Sequence, residues 1–177
     1  MTEHVNNPNE SAKILRNGIT IVSLQEDAIT KLAVELQDKL QTLFIMVVDT
    51  AGQAIFASEP LTSSKSNALG SLLAGDLSAS QELARVTGQY DLSQLIIREG
   101  VESTLFISEA GKDLLLLAIV PGQVPLGWAR ILIKETARQI GEIIHTPVSD
   151  LELLSLGLDD EKLTDIYEES LNNIWNG

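Results

Sequence analysis

The chain has 177 residues, no cysteine, and 44% apolar residues. That is long enough for one domain with a sizeable core and no disulfide or metal staple, and too apolar for a disordered chain. Its 25 acids against 12 bases give a net charge of -13, a field that repels nucleic acid and anionic membranes.

The lack of cysteine excludes a disulfide framework, a thiol nucleophile and a thiolate metal cluster, and it fits a reducing, cytoplasmic setting. Aromatic residues make up only 4%, too few for a base-stacking surface. The longest apolar run, Leu114 to Val120, is far short of the roughly 18 residues that span a bilayer. Met1 to Gly18 is polar and lacks a signal-peptide core. Charge is unevenly spread: residues 1–24 are neutral, 25–147 carry -6, and 148–177 carry -7.

Three segments follow from this. Residues 1–22 read as a mobile polar arm, 23–147 as the folded domain, and 148–177 as an acidic segment with a helix over about Asp159 to Trp175. Within the domain, Ser23 and Glu26 have the spacing of a capping box, and Ile29, Leu32, Ala33, Leu36 and Leu40 form one stripe, so a helix is expected over about 24–41. Leu43 to Val48 is continuously apolar, Asp49-Thr-Ala-Gly52 is turn chemistry, and Ala54 to Ala57 is apolar again: a β-hairpin. A second helix is expected over about 66–87, stopped by Gly88. Strands are expected over about 91–99, 102–108 and 113–120. A last helix starts near Pro125 and runs to about His145 with Leu132, Ile133, Ala137, Ile140, Ile143 and Ile144 inward. Short hairpin links make the sheet antiparallel. The unbroken apolar runs 43–48 and 114–120 need cover on both faces, which gives a three-layer α/β/α sandwich.

Asp49-Thr-Ala-Gly52-Gln53 resembles the switch II motif of Ras-like GTPases. A GTPase also needs a phosphate loop earlier in the chain, and the only glycine before Asp49 is Gly18. The motif therefore reads as a hairpin turn. His4 and His145 face no recognisable nucleophile, and Asp159, Asp160 and Glu161 lack the ligand spacing of a calcium loop. No catalytic, metal or cofactor site is expected, and the chain reads as a binding protein rather than an enzyme.

The second helix mixes Ala68, Gly70, Ser71, Ala74, Gly75, Ser78 and Ala79 with Leu69, Leu72, Leu73, Leu77 and Leu83. Two helical glycines cost about 1 kcal/mol each relative to alanine, and close helix contact is one compensation. The helix is either well buried in one chain or packed on its own sheet and on a second protein surface. The strand near 91–99 is flanked by charge and looks like an edge, which pairing with a second copy would remove.

The order of elements from about Gln25 to His145 resembles the roadblock/dynein light chain family. The carrying residues are Phe44 to Ala57, the small-residue helix 66–87, Leu95-Ile-Ile97, Ser103 to Ser108, Leu114 to Val120, and Pro125-Leu-Gly127-Trp-Ala-Arg130. The resemblance implies a profilin-like, five-stranded antiparallel sheet with the strands ordered second, first, fifth, fourth, third. It implies a homodimer that pairs its third strands and lays its second helices side by side, with Leu69, Gly70, Leu72, Leu73, Leu77, Leu95 and Ile97 at the dimer or partner interface. It implies a small Ras-like GTPase as partner. Family members regulate or scaffold such GTPases, and bacterial members activate a polarity GTPase by repositioning its own groups, without an arginine finger. The alternatives are a scaffold or light-chain subunit of a larger complex and, on fold grounds alone, a small-molecule sensor.

Overall fold

The structure is a computed structural model that describes residues 12–88 and 95–155. The elements run β1 (Lys13–Ile14), β2 (Thr20–Ile21), α1 (Ser23–Leu40), β3 (Phe44–Asp49), β4 (Ala54–Ala57), α2 (Ser63–Thr87), β5 (Leu95–Glu99), β6 (Ser103–Ala110), β7 (Leu114–Pro121) and α3 (Leu126–Ile143). A separate unit begins at Thr146 and holds α4 (Val148–Ser155). The helix expected over Asp159 to Trp175, and residues 91–94 of the third expected strand, lie outside the described residues.

The main sheet is antiparallel throughout, in the order β4-β3-β7-β6-β5, the order the resemblance implies. Its core divides by the two-residue alternation of the strands. Ile45 and Val47 of β3, Phe106 of β6, and Leu114, Leu116 and Ala118 of β7 face α1 and α3. Met46, Val48, Ile107, Leu115 and Leu117 face α2. β3 and β7 are thus buried on both sides, which explains why neither shows polar alternation. α1 and α3 lie antiparallel: Gln25, at the start of α1, donates from its side-chain amide to the carbonyls of Ile143 and Ile144, at the end of α3.

Two local expectations are corrected. α1 begins one residue early, with Val22 at its cap. The residue that reaches back is Gln25, whose Oε1 accepts from Val22 N–H at 3.1 Å, not Glu26. The arm expected to extend through residue 22 is structured from Ala12 onward. Residues 13–21 form a small antiparallel hairpin that buries Leu15 and Ile21 in the core. Ile19, Ile21 and Val22 suggest a short extended piece, but two-residue strands carry no periodicity that would place it.

The hairpin is held by the β3–β4 turn. Asp49 is fully buried. Its Oδ1 accepts from the N–H groups of Ala51 (3.0 Å) and Gln53 (2.6 Å), and its Oδ2 from Asn17 N–H (3.1 Å). Gln53 Oε1 accepts from Arg16 N–H, and Asn17 Nδ2 donates to the carbonyl of Asp113 in the β6–β7 turn. Replacing Asp49 by alanine strands three amides. We expect a loss of about 2–4 kcal/mol in urea unfolding, with much of it reproduced by deleting residues 1–22.

The same turn presses on α2. Gly52 has φ +83°, and a Cβ on Gly70 would lie 1.9 Å from the Gly52 carbonyl oxygen. Nothing lies within 4 Å of a Cβ placed on Gly75. Gly70→Ala should therefore cost about 1–3 kcal/mol by overpacking. Gly75→Ala should gain about 0.5–1 kcal/mol of protomer stability by helix propensity, and thermal melting of the two variants checks the contrast.

Candidate functional site

α2 is the element whose surface the protomer leaves unfinished. It starts at Ser63, three residues before the expected start, because the Thr62 hydroxyl caps it by accepting from Lys65 N–H at 3.4 Å. It ends as expected at Gly88, in the left-handed conformation. Across these 25 residues its packing on the sheet falls mainly on β3, β4 and β7. The inward stripe is Leu69, Gly70, Leu73 and Leu77.

This stripe revises the placement of the expected interface residues. Gly70, Leu73 and Leu77 are buried inside the protomer. Leu69 is half-buried and packs on the inner cluster. Of the five α2 positions named from sequence, only Leu72 stands out in solvent, at 70% exposure. On β5, Leu95 and Ile97 are half-buried and pack toward the α1 and α3 side. Their side chains do not form the strand's free edge; its backbone does, since β5 ends the sheet and pairs only with β6 among the described strands.

Two apolar residues of α2 outside the expected interface set, Leu83 and Val86, are 67% and 70% exposed. With Leu72, Gly75 and Ala79 they step along the outer side of α2 at intervals of three and four residues. That periodicity was readable. What was not readable was the phase, because α2 carries apolar residues on two stripes and the contact between Gly70 and Gly52 decides which one turns inward.

Beside the outer stripe runs an open groove of about 750 Å³ between α2 and the β5–β6–β7 part of the sheet. Phe44, Leu69, Leu72, Leu73, Leu105 and Ile107 are among its apolar lining, with Glu59, Ser71, Asp76 and Arg98 as its polar groups. Arg98 Nη2 on β5 donates to Asp76 Oδ1 on α2 at 2.6 Å. At the far end of the stripe the Arg85 guanidinium binds Glu82 at 2.6 Å and holds that carboxyl below its ordinary value, while Glu82 in turn raises the Arg85 value.

The switch-like residues are engaged in structure: Asp49 in the turn, Gly52 against α2, and Gln53 with Arg16. His145 is exposed, with its Nε2 3.4 Å from Asp113 Oδ2. Among the described residues no three or more His, Cys, Asp or Glu stand together as metal ligands, and no helix is long and apolar enough to cross a membrane. The phase of α2 is checked by two substitutions. Leu73→Ala should cost about 2–5 kcal/mol of folding stability, whereas Leu83→Lys should stay within about 0.5 kcal/mol; equal losses in chemical denaturation would mean the stripes are assigned the wrong way round.

Comparison with known proteins agrees with this geometry. A structure of MglB with a tetrameric arrangement matches at a TM-score of 0.62 and 21% identity, over 71% of this chain and 93% of that one. The gliding protein MglB from Thermus thermophilus matches at 0.61 and 21%, over 71% and 94%. Myxococcus xanthus MglB matches at 0.59 and 24%, over 67% and 95%. At these identities the likeness is one of fold. No curated protein matches the chain significantly by sequence. The family model of the Roadblock/LC7 domain matches residues 29–120, from α1 through β7, and the chain belongs to that family.

Proposed function

We propose that this protein is a non-catalytic, homodimeric regulator of a small Ras-like GTPase. Two copies pair through α2 and the β5 edge, and the GTPase docks on the paired second helices. The observation that carries the reading is the outer stripe of α2, in which Leu72, Leu83 and Val86 stand exposed on a helix already packed on its own sheet. A contiguous apolar surface of this kind marks a protein contact.

The shape of the α2 surface supports the dimer. Leu72 and Gly75 border the groove that Leu69, Leu105 and Ile107 also line, so a two-fold axis lays the exposed sides of two α2 helices against each other there. The same axis brings two β5 edges together and removes an unpaired strand edge. Family membership supports a binding role, and the MglB solved in a tetrameric arrangement supports self-association. A GTPase regulator of this design brings no catalytic side chain. It acts by holding the GTPase's own groups in their productive geometry.

Light scattering on the purified chain at micromolar concentration should give a dimer mass, and Leu72→Glu should shift it to the monomer without loss of helical signal. Single-turnover GTP hydrolysis by a cognate GTPase should speed up by tenfold or more on addition of the chain, roughly 1.4 kcal/mol of barrier. Leu83→Lys with Val86→Lys should abolish that increase. Binding with an unchanged hydrolysis rate would make the protein a scaffold.

A further inference from the structure

The hairpin of residues 13–21 turns at Asn17-Gly18. An asparagine followed by glycine loses its side-chain amide readily, because glycine has no Cβ to shield its nitrogen and its backbone rotates freely. The closed hairpin holds both reacting groups. Gly18, at φ +88°, donates its N–H to the Leu15 carbonyl at 2.9 Å. The Asn17 amide is engaged at both ends: Nδ2 donates to the Asp113 carbonyl at 3.0 Å, and Oδ1 accepts from Ile19 N–H at 3.2 Å. The backbone N–H of Asn17 donates to Oδ2 of the buried Asp49 at 3.1 Å. Next to it, Arg16 donates its N–H to Gln53 Oε1 at 2.9 Å, and its Nη2 to Asn67 Oδ1 near the start of α2 at 3.1 Å.

We infer that Asn17 is a gated modification site: the closed hairpin preserves its amide, and conversion of that amide to an acid frees residues 12–21 from the β3–β4 turn. The reaction needs only water. In an opened hairpin the Gly18 nitrogen bonds to Asn17 Cγ and the Cγ–Nδ2 bond breaks. Nδ2 leaves as ammonia, taking up the proton that the Gly18 nitrogen gives up. Water then opens the five-membered imide. Cleaving its bond from nitrogen to Cγ leaves aspartate. Cleaving its bond from nitrogen to the backbone carbonyl carbon leaves isoaspartate, whose main chain runs through Cγ. The closed hairpin blocks the first step, since the Gly18 N–H must leave the Leu15 carbonyl and Nδ2 must leave Asp113. Afterwards the position has no Nδ2 to donate to Asp113, and it carries a second negative charge beside the buried Asp49. Closing again is therefore opposed, and the release runs one way. It also cuts the Arg16 link to α2, so the change reaches the helix that carries the apolar stripe. The inference is independent of the homodimer and of any GTPase.

Ageing the full chain in mildly alkaline buffer beside a synthetic peptide of residues 12–21 tests this, with peptide mapping by mass spectrometry to follow the Asn17 amide. The full chain should lose the amide at least about tenfold more slowly than the peptide. Warming toward the melting midpoint should narrow the gap. The converted fraction carries extra negative charge and separates by ion exchange. Its backbone hydrogens over residues 12–21 should exchange at least about tenfold faster than those of the unconverted chain. It should also melt about 2–4 °C lower. Asn17→Asp, made directly, should behave as the aspartate product does. Equal rates in chain and peptide overturn the gating. No conversion in the full chain even at its melting midpoint overturns the site. A converted fraction, or a folded Asn17→Asp variant, with unchanged hydrogen exchange and melting overturns the release.

Discussion

The backbone contact between Gly52 and Gly70 sets the protomer's outer surface. A turn backbone lies directly against a helix backbone, closer than any side chain allows. Gly52 contributes a positive φ, and Asp49 fixes the turn from below by accepting from Ala51 and Gln53. Once Gly70 points at the turn, helical geometry leaves α2 no rotational freedom. Leu73 and Leu77 follow Gly70 inward at three and seven residues, and Leu72, Leu83 and Val86 are left outside. The exposed stripe is a consequence of the hairpin turn, two elements away in function but in direct contact.

The sheet is covered unequally. α1 and α3 share one face and bury it from β3 to β6. α2 alone serves the other face, centred on β3, β4 and β7. Toward β5 and β6 the inner face therefore carries half-covered apolar residues, Ile96 and Leu105, next to the groove. One layer of the sandwich is complete and the other is half built. Apolar area in that condition is the ordinary driving force for association, and the free backbone edge of β5 lies along its border. The polar pair of Asp76 on α2 and Arg98 on β5 spans that half-built layer.

Much of the architecture was legible in the residues. The all-apolar runs of β3 and β7 marked central strands, Gly88 marked the end of α2, and Pro125 marked the entrance to α3. The misreadings share a cause: in each, a long-range contact outranked a local signal. Ser23 and Glu26 have capping-box spacing, yet the Gln25 side chain takes the role because it also ties α1 to the end of α3. Residues 13–21 look like part of a polar arm, yet Asp49, Gln53 and Asp113, between 32 and 96 positions later, give their backbone and side chains a place. Gly70 looked like a contact for a foreign helix, and its contact is internal. Of the site, the helix and the edge strand were visible in sequence. The groove, its Asp76–Arg98 pair and the true outward stripe depended on the phase of α2.

The charges along α2 separate two kinds of contact. At the C-terminal end, Glu82 is paired with Arg85 on the same turn, and the pair is solvent-exposed. Because the arginine lowers the Glu82 value, the acid stays ionised and the pair stays intact down to more acidic pH than for a free glutamate; it is lost only as pH falls through that lowered value. Leu83 and Val86 are thus flanked by a couple that is already neutral in sum, and covering them uncovers no unpaired charge. Asp76, two turns earlier, is the opposite case, with one oxygen satisfied by Arg98 and one not. The C-terminal half of the stripe thus lies beside an exposed pair on one helix, and the half beside the groove lies next to a pair that joins α2 to β5.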